Sequence, residues 1–130
     1  MTDRISLTIP RERPFHRVAH LVLGGLALRN NYTLEQLEDL QIALDALLEQ
    51  EDAAAADVQL ELEVEADRLA AEIGPFEPQH LRAELELDPQ DGVGLSRVLS
   101  HVVDDVEVAE RGGHLWVRLV KSMPVPAEAS

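Results

Sequence analysis

The chain has 130 residues, 25 acidic against 11 basic side chains, a formal charge of −14 and no cysteine. It is long enough for one core and too short for two. A field of that sign repels phosphate backbones and argues against direct nucleic-acid binding, while attracting a basic protein surface. The lack of Cys excludes disulfides and thiolate metal sites.

Hydrophobic residues make up 45% of the chain but aromatics only 3%, so the core has to be built from Leu, Val, Ala and Ile. No stretch approaches the length of apolar residues that spans a bilayer, and the N-terminal residues lack the apolar core of a signal peptide. A cytoplasmic protein without a membrane partner is expected.

Taken in chain order, Arg4 to Pro10 alternates Ile5, Leu7 and Ile9 with polar neighbours, the pattern of a half-buried strand. Pro14 to Arg29 places Phe15, Val18, Ala19, Val22, Leu23 and Leu26 at helical spacing; Gly24 and Gly25 within it point to close packing or a bend. After a turn at "NNYT", Thr33 with Gln36 three residues on is a capping-box start. The helix it opens carries a stripe of Leu34, Leu37, Leu40, Leu44, Leu47 and Leu48, and is expected to fade between Glu49 and Ala56.

Val58, Leu60, Leu62 and Val64 alternate with Gln59, Glu61, Glu63 and Glu65, as in a strand covered on one side only. Asp67 and Arg68 lie near its turn, Leu69 to Ile73 return, and Pro75 and Pro78 are expected to end that strand. A short helix or loop over 79–91 precedes a helix that begins at "GVGL" and buries Leu95, Val98, Leu99 and Val102. A last hairpin runs "DVEVAE", "RGG", "HLWVRLV". The order β-α-α-β-β-(α)-α-β-β predicts an α+β two-layer sandwich: a mostly antiparallel sheet with helices on one face, one domain over 4–122, and a disordered tail over 123–130.

That order, with "LTIP" near the start, "LEDLQIALDALL" on the second helix, "GPF" after the third strand and "GVGLSRVLSHVVDDVEV" followed by "GGHLWVRLVK", resembles the GHKL nucleotide-binding fold. More narrowly it is similar to the small anti-sigma-factor serine kinases of bacteria. The resemblance implies a two-part site. A Glu on the second helix acts as general base and an Asn four residues later ligates magnesium. A strand-end Asp in a Gly-containing loop accepts the adenine amino group, and a later Gly-x-Gly-Leu offers amides to the phosphates at a helix start.

Laid on this chain, the base and the ligand fall on Ala46 and Gln50. Alanine has no proton acceptor, and glutamine carries its amide oxygen one methylene too far for an octahedral magnesium shell. Asp45 is acidic but about 100° around the helix; Glu49 and Glu51 have the same difficulty. Glu72 stands at the adenine-contacting position with Gly74 kept and a glycine missing before Phe76, while Gly92 and Gly94 match. The expectation is a degenerate domain with a vestigial pocket at Glu72, Gly74, Gly92 and Gly94, with neither metal nor cofactor. ATP or ADP with magnesium belongs to an alternative, an active kinase or ATPase re-sited onto Asp45, Gln50 and Glu72. The other alternative is an orphan dimerisation or scaffold domain.

Five histidines invite a metal hypothesis, and His16 and His20 share a helix face, but no third ligand is marked. Arg11, Arg13, His16, Arg17 and His20 form the chain's basic cluster, a candidate contact for an acidic partner. The resemblance implies a sigma factor, an antagonist of the STAS type, or a second copy in a homodimer. Trp116 beside Arg118 either covers the open face of the sheet or marks a contact surface.

Overall fold

The computed structural model describes residues 3–50, 56–86 and 94–123. Over them the expected order holds: β1 (Asp3–Pro10), a single 3-10 turn (Arg13–Phe15), α1 (His16–Asn30), α2 (Leu34–Leu48), β2 (Asp57–Val64), β3 (Arg68–Phe76), α3 (Pro78–Glu86), α4 (Leu95–Val102), β4 (Asp105–Arg111) and β5 (His114–Ser122). The strands form one sheet in the order β1-β2-β3-β5-β4 with every neighbour antiparallel. The α+β architecture read from the pattern is the one observed.

Period-2 alternation decides which side of the sheet is dry. Val58, Leu60, Leu62 and Val64 of β2 are buried, and across the sheet so are Leu69, Ala71 and Ile73 of β3 and Leu115, Val117 and Leu119 of β5. Ala19, Leu23 and Leu26 of α1, Leu40, Leu44 and Leu47 of α2, Leu81 of α3 and Leu95 and Leu99 of α4 join them in one aliphatic cluster. No polar or charged residue among the described ones is buried. No helix among them is long and apolar enough to cross a membrane.

Local chemistry sets the element ends. Thr33 accepts from the Gln36 backbone N–H at 3.1 Å while the Gln36 side chain accepts from the Thr33 N–H at 2.7 Å, the reciprocal box expected. Asn31 ends α1 in the left-handed conformation, φ 57. Gly112 and Gly113 both have positive φ, which a two-residue hairpin between β4 and β5 demands. The chain's one lysine, Lys121, links three elements: it lies 3.1 Å from Asp39 of α2 and donates to the Val102 carbonyl of α4 at 2.9 Å.

Several expectations are corrected. β3 does not stop before Pro75 but runs to Phe76; Pro75 lies where its register with β5 shifts between Ile73 and Phe76, an irregularity where a missing N–H interrupts no ladder. α1 runs through Gly24 and Gly25, and they serve no close packing among the described residues, since a Cβ at either would meet open space. Leu34 is 70% exposed; three residues of rotation leave it about 60° off the direction of Leu37. Phe15 is 38% exposed because it belongs to the 3-10 turn and not to the α1 stripe. Met123, assigned to the tail, is buried, and its N–H donates to Asp67 at 2.7 Å. The tail's residues 124–130 lie outside the described residues, as do Glu51 and residues 52–55 and 87–93.

Tyr32, in the α1–α2 turn, packs against the core with its hydroxyl buried and without a hydrogen-bond partner among the described residues. Burial raises its phenol above the ordinary value. The unfolded chain therefore ionises first, and stability is full below about pH 10 and falls as pH rises through the folded pKa. Tyr32→Phe is expected to leave the protein as stable or up to about 1 kcal/mol more stable, and to remove part of the alkaline decline. Urea denaturation at neutral and alkaline pH checks both; a loss of more than about 1 kcal/mol at neutral pH would show that the hydroxyl is satisfied.

Candidate functional site

The positions that the family resemblance singles out fall in four places. Ala46 and Gln50 lie at the C-terminal end of α2, where the Leu40–Leu44–Leu47 stripe faces the core and turns this flank towards α3. Ala46 packs against the cluster and brings a methyl group only. The amide nitrogen of Gln50 donates to the Ala46 carbonyl at 3.0 Å, which leaves its oxygen facing the Nε2 of His80 on α3 at 3.3 Å. The helix terminus thus consumes the amide at both ends: one end caps a free carbonyl, the other joins α2 to α3.

Asp45, one residue away, faces α1. Its Oδ1 lies 2.7 Å from the Nε2 of His20, which donates, and both side chains are about one-third exposed. The carboxylate on which a re-sited base would rely is held in an α1–α2 link. Glu49 is the exposed C-cap residue of α2.

Glu72 occupies mid-strand, not a strand end, because β3 continues to Phe76. Alternation places it on the solvent face, in a row with Glu61 and Arg118, and it is ion-paired to Arg111. The Arg111 guanidinium lies 4.6 Å from the Trp116 ring centroid, a cation–π stack on that same outer face. Trp116 in turn lies on Gly74: a Cβ there would come within 2.5 Å of Cδ2 and 2.7 Å of Cε3 of the indole. Gly74 is small because an indole covers it. Gly74→Ala is expected to cost about 1–3 kcal/mol through overpacking, with a shift in tryptophan fluorescence as the indole is displaced; an unchanged urea midpoint would contradict the contact.

Gly94 is the N-cap of α4 with φ −62, a conformation open to any residue, and its carbonyl accepts from the Val98 N–H at 3.1 Å. Gly92 lies outside the described residues. The chemistry of this donor set fits a magnesium–triphosphate poorly. Ala46 offers no base, the Gln50 oxygen is already accepting a hydrogen bond, and Glu72 faces away from the helices. Among the described residues no group of three or more His, Asp or Glu is placed to hold a metal, His16 and His20 included.

The basic cluster divides. Arg11 turns onto β3: its Nη2 donates to the Pro75 carbonyl at 2.5 Å and its guanidinium lies 5.4 Å from the Phe76 ring. His20 is taken by Asp45, and His16 is half-buried. Arg13 and Arg17 remain exposed and, with Pro14, line a cleft of about 380 Å³. Sequence reasoning missed three features: the Arg111–Trp116–Gly74 stack, the Gln50–His80 link, and the exposure of Leu21 and Leu28. Only the last had a signal, since these leucines stand seven apart, opposite the buried stripe of α1.

With this geometry in view, comparison with known proteins is informative. The chain is 26% identical over 133 residues to the serine-protein kinase RsbW of Bacillus velezensis, a match covering 85% of this chain and 81% of that protein. No family model matches the chain. The similarity runs over most of both lengths, and the five-stranded antiparallel α+β fold is the one that the resemblance read from the sequence implies.

Proposed function

We propose that this chain is a regulator of the anti-sigma-factor type that works by binding protein partners and no longer transfers phosphate. Its partners are a sigma factor or an antagonist of the STAS type, together with a second copy of the chain, and it acts in the cytoplasm. The observation that carries the reading is the end of α2, where a kinase-like helix presents Ala46 in place of a base and a Gln50 amide bonded to Ala46 and His80. Binding needs only a surface, whereas phosphoryl transfer depends on positioned metal and charge. The mechanism is steric: the domain covers a face of its partner that transcription requires.

The similarity to a named serine-protein kinase favours a second reading, an active enzyme using Asp45, Gln50 and Glu72. Asp45 bonded to His20 and Glu72 paired to Arg111 both weigh against it. Mixing the purified chain with candidate sigma factors and STAS-type proteins, with and without ATP, separates the two. The proposal expects a complex of equal affinity in both conditions; a complex that forms only with nucleotide would overturn it.

A further inference from the structure

β4 stands last in the sheet order and pairs on one side only, with β5. The Gly112–Gly113 turn makes Arg111 and His114 a hydrogen-bonded pair, as the residues flanking a two-residue hairpin loop are. Bonded and non-bonded pairs alternate from there, so Arg111, Ala109, Glu107 and Asp105 bond to β5. The main-chain groups of Glu110, Val108 and Val106 therefore point away from the sheet. One contact agrees with this parity: the Val106 N–H donates at 3.0 Å to the Asp105 carboxylate and not to β5. Val108 and Glu110 meet no strand on that side among the described residues.

Exposed edges are commonly blunted by proline, lysine or a covering element. The residues of β4 include neither proline nor lysine, and all except Val106 are exposed. The helix layer stops short of this edge. Val106 packs against the core, but Val108 on the same side is 44% exposed. On the outer side stand Asp105 and Glu107, both exposed and in no ion pair among the described residues. At the opposite edge, β1 ends in Pro10, and its two charges, Asp3 and Arg4, cancel. Of the two edges, β4 alone joins an open ladder to a charge that selects a partner.

We infer that β4 takes up an extended, basic segment of a partner protein as a sixth strand, paired through the outward groups of Val108 and Glu110 and the carbonyl of Val106. Residues of the segment opposite Val106 and Val108 are apolar, and those opposite Asp105 and Glu107 are Lys or Arg. Main-chain bonds hold the segment, and the alternation of apolar and basic side chains chooses it. The chain's own C-terminal residues 124–130 do not suit the place, since they carry two prolines and an acid and no base. Nor does a second β4, which brings three carboxylates and one guanidinium against the same set. The edge is separate from the end of α2 on which the proposed function rests.

Titrating the full chain with an end-capped, eight-residue peptide of alternating valine and lysine, followed by NMR, tests it. The expected result is saturable binding that weakens at high salt and slows hydrogen exchange of the Val108 and Glu110 amides roughly tenfold or more. Methylating the backbone nitrogens of the peptide's valines removes the donors that face β4, and is expected to weaken binding roughly tenfold or more. Methylating those of its lysines, which face away, should change binding less than about threefold. Val108→Pro removes an outward N–H without costing a bond to β5, so native circular dichroism with binding reduced roughly tenfold or more is expected. Glu107→Lys should weaken binding more at low salt than at high salt. Absence of saturable binding, unslowed Val108 and Glu110 amides, or indifference to valine methylation overturns the inference, the last two because they leave charge attraction alone. The methylated peptides are read on the wild-type chain, so they decide even if Val108→Pro fails to fold. Peptide pairing needs no sigma factor, antagonist or nucleotide, so it and the partner-binding reading can fail separately.

Discussion

Incubating the chain with Mg-ATP and a STAS-type antagonist is expected to leave the antagonist's serine unphosphorylated, at a rate roughly four orders of magnitude or more below that of a kinase with an intact site. A positioned general base contributes about 10²–10⁴ in rate, and a bound metal several kcal/mol more. On the proposed reading Ala46, at the base position, supplies no proton acceptor, and Gln50 withholds the second contribution because its amide bridges Ala46 and His80. Neither carboxylate of the re-sited alternative is free to substitute. Asp45 is bonded to His20, and Glu72 is paired with Arg111 on the far side of the sheet. Ala46→Glu alone is expected to give no recovery, since the metal shell stays incomplete. Phosphoserine detected by mass spectrometry decides the point, and its appearance with the wild-type chain would show that another set of residues performs the chemistry.

Phe76→Ala is expected to cost about 3–5 kcal/mol, a large part of the stability of a domain this size. Phe76 is one of only two phenylalanines and is fully buried. It ends β3 where the register slips, and there it joins the aliphatic core beneath the Arg11 guanidinium. It is the one aromatic among the described buried core residues, which are otherwise Leu, Val, Ala, Ile and Met123, so its removal takes out the largest side chain of that core. Phe76→Leu keeps most of the volume and is expected to lose less than about 1.5 kcal/mol. Urea denaturation of both variants measures the difference; a cost below about 1 kcal/mol for Phe76→Ala would mean that the end of β3 is loosely packed.

The fold was legible because its determinants are local and periodic. Val58, Leu60, Leu62 and Val64 alternate without a fault, Thr33 and Gln36 state where α2 begins, and Gly112–Gly113 leave the last hairpin little choice. What misled was context that the chain cannot carry locally. Pro75 reads as a strand end, yet a bulge against β5 admits it. The glycine pair of α1 reads as a place of close packing or a bend, yet a Cβ at either would meet open space. For the candidate site, Ala46 and Gln50 were visible as residue types, but where the Gln50 amide would go was not, because His80 is distant in sequence. Glu72 and Gly74 were assigned by motif spacing. Strand alternation and a cross-strand indole, which a motif does not encode, place them on the other face.

Calorimetric titration of the wild-type chain with ATP, with and without magnesium, tests the central claim most directly. The geometry at Ala46, Gln50 and Glu72 predicts no saturable heat that grows tighter when magnesium is added. A saturable isotherm strengthened by magnesium would contradict it and favour the reading of the chain as a nucleotide-using enzyme.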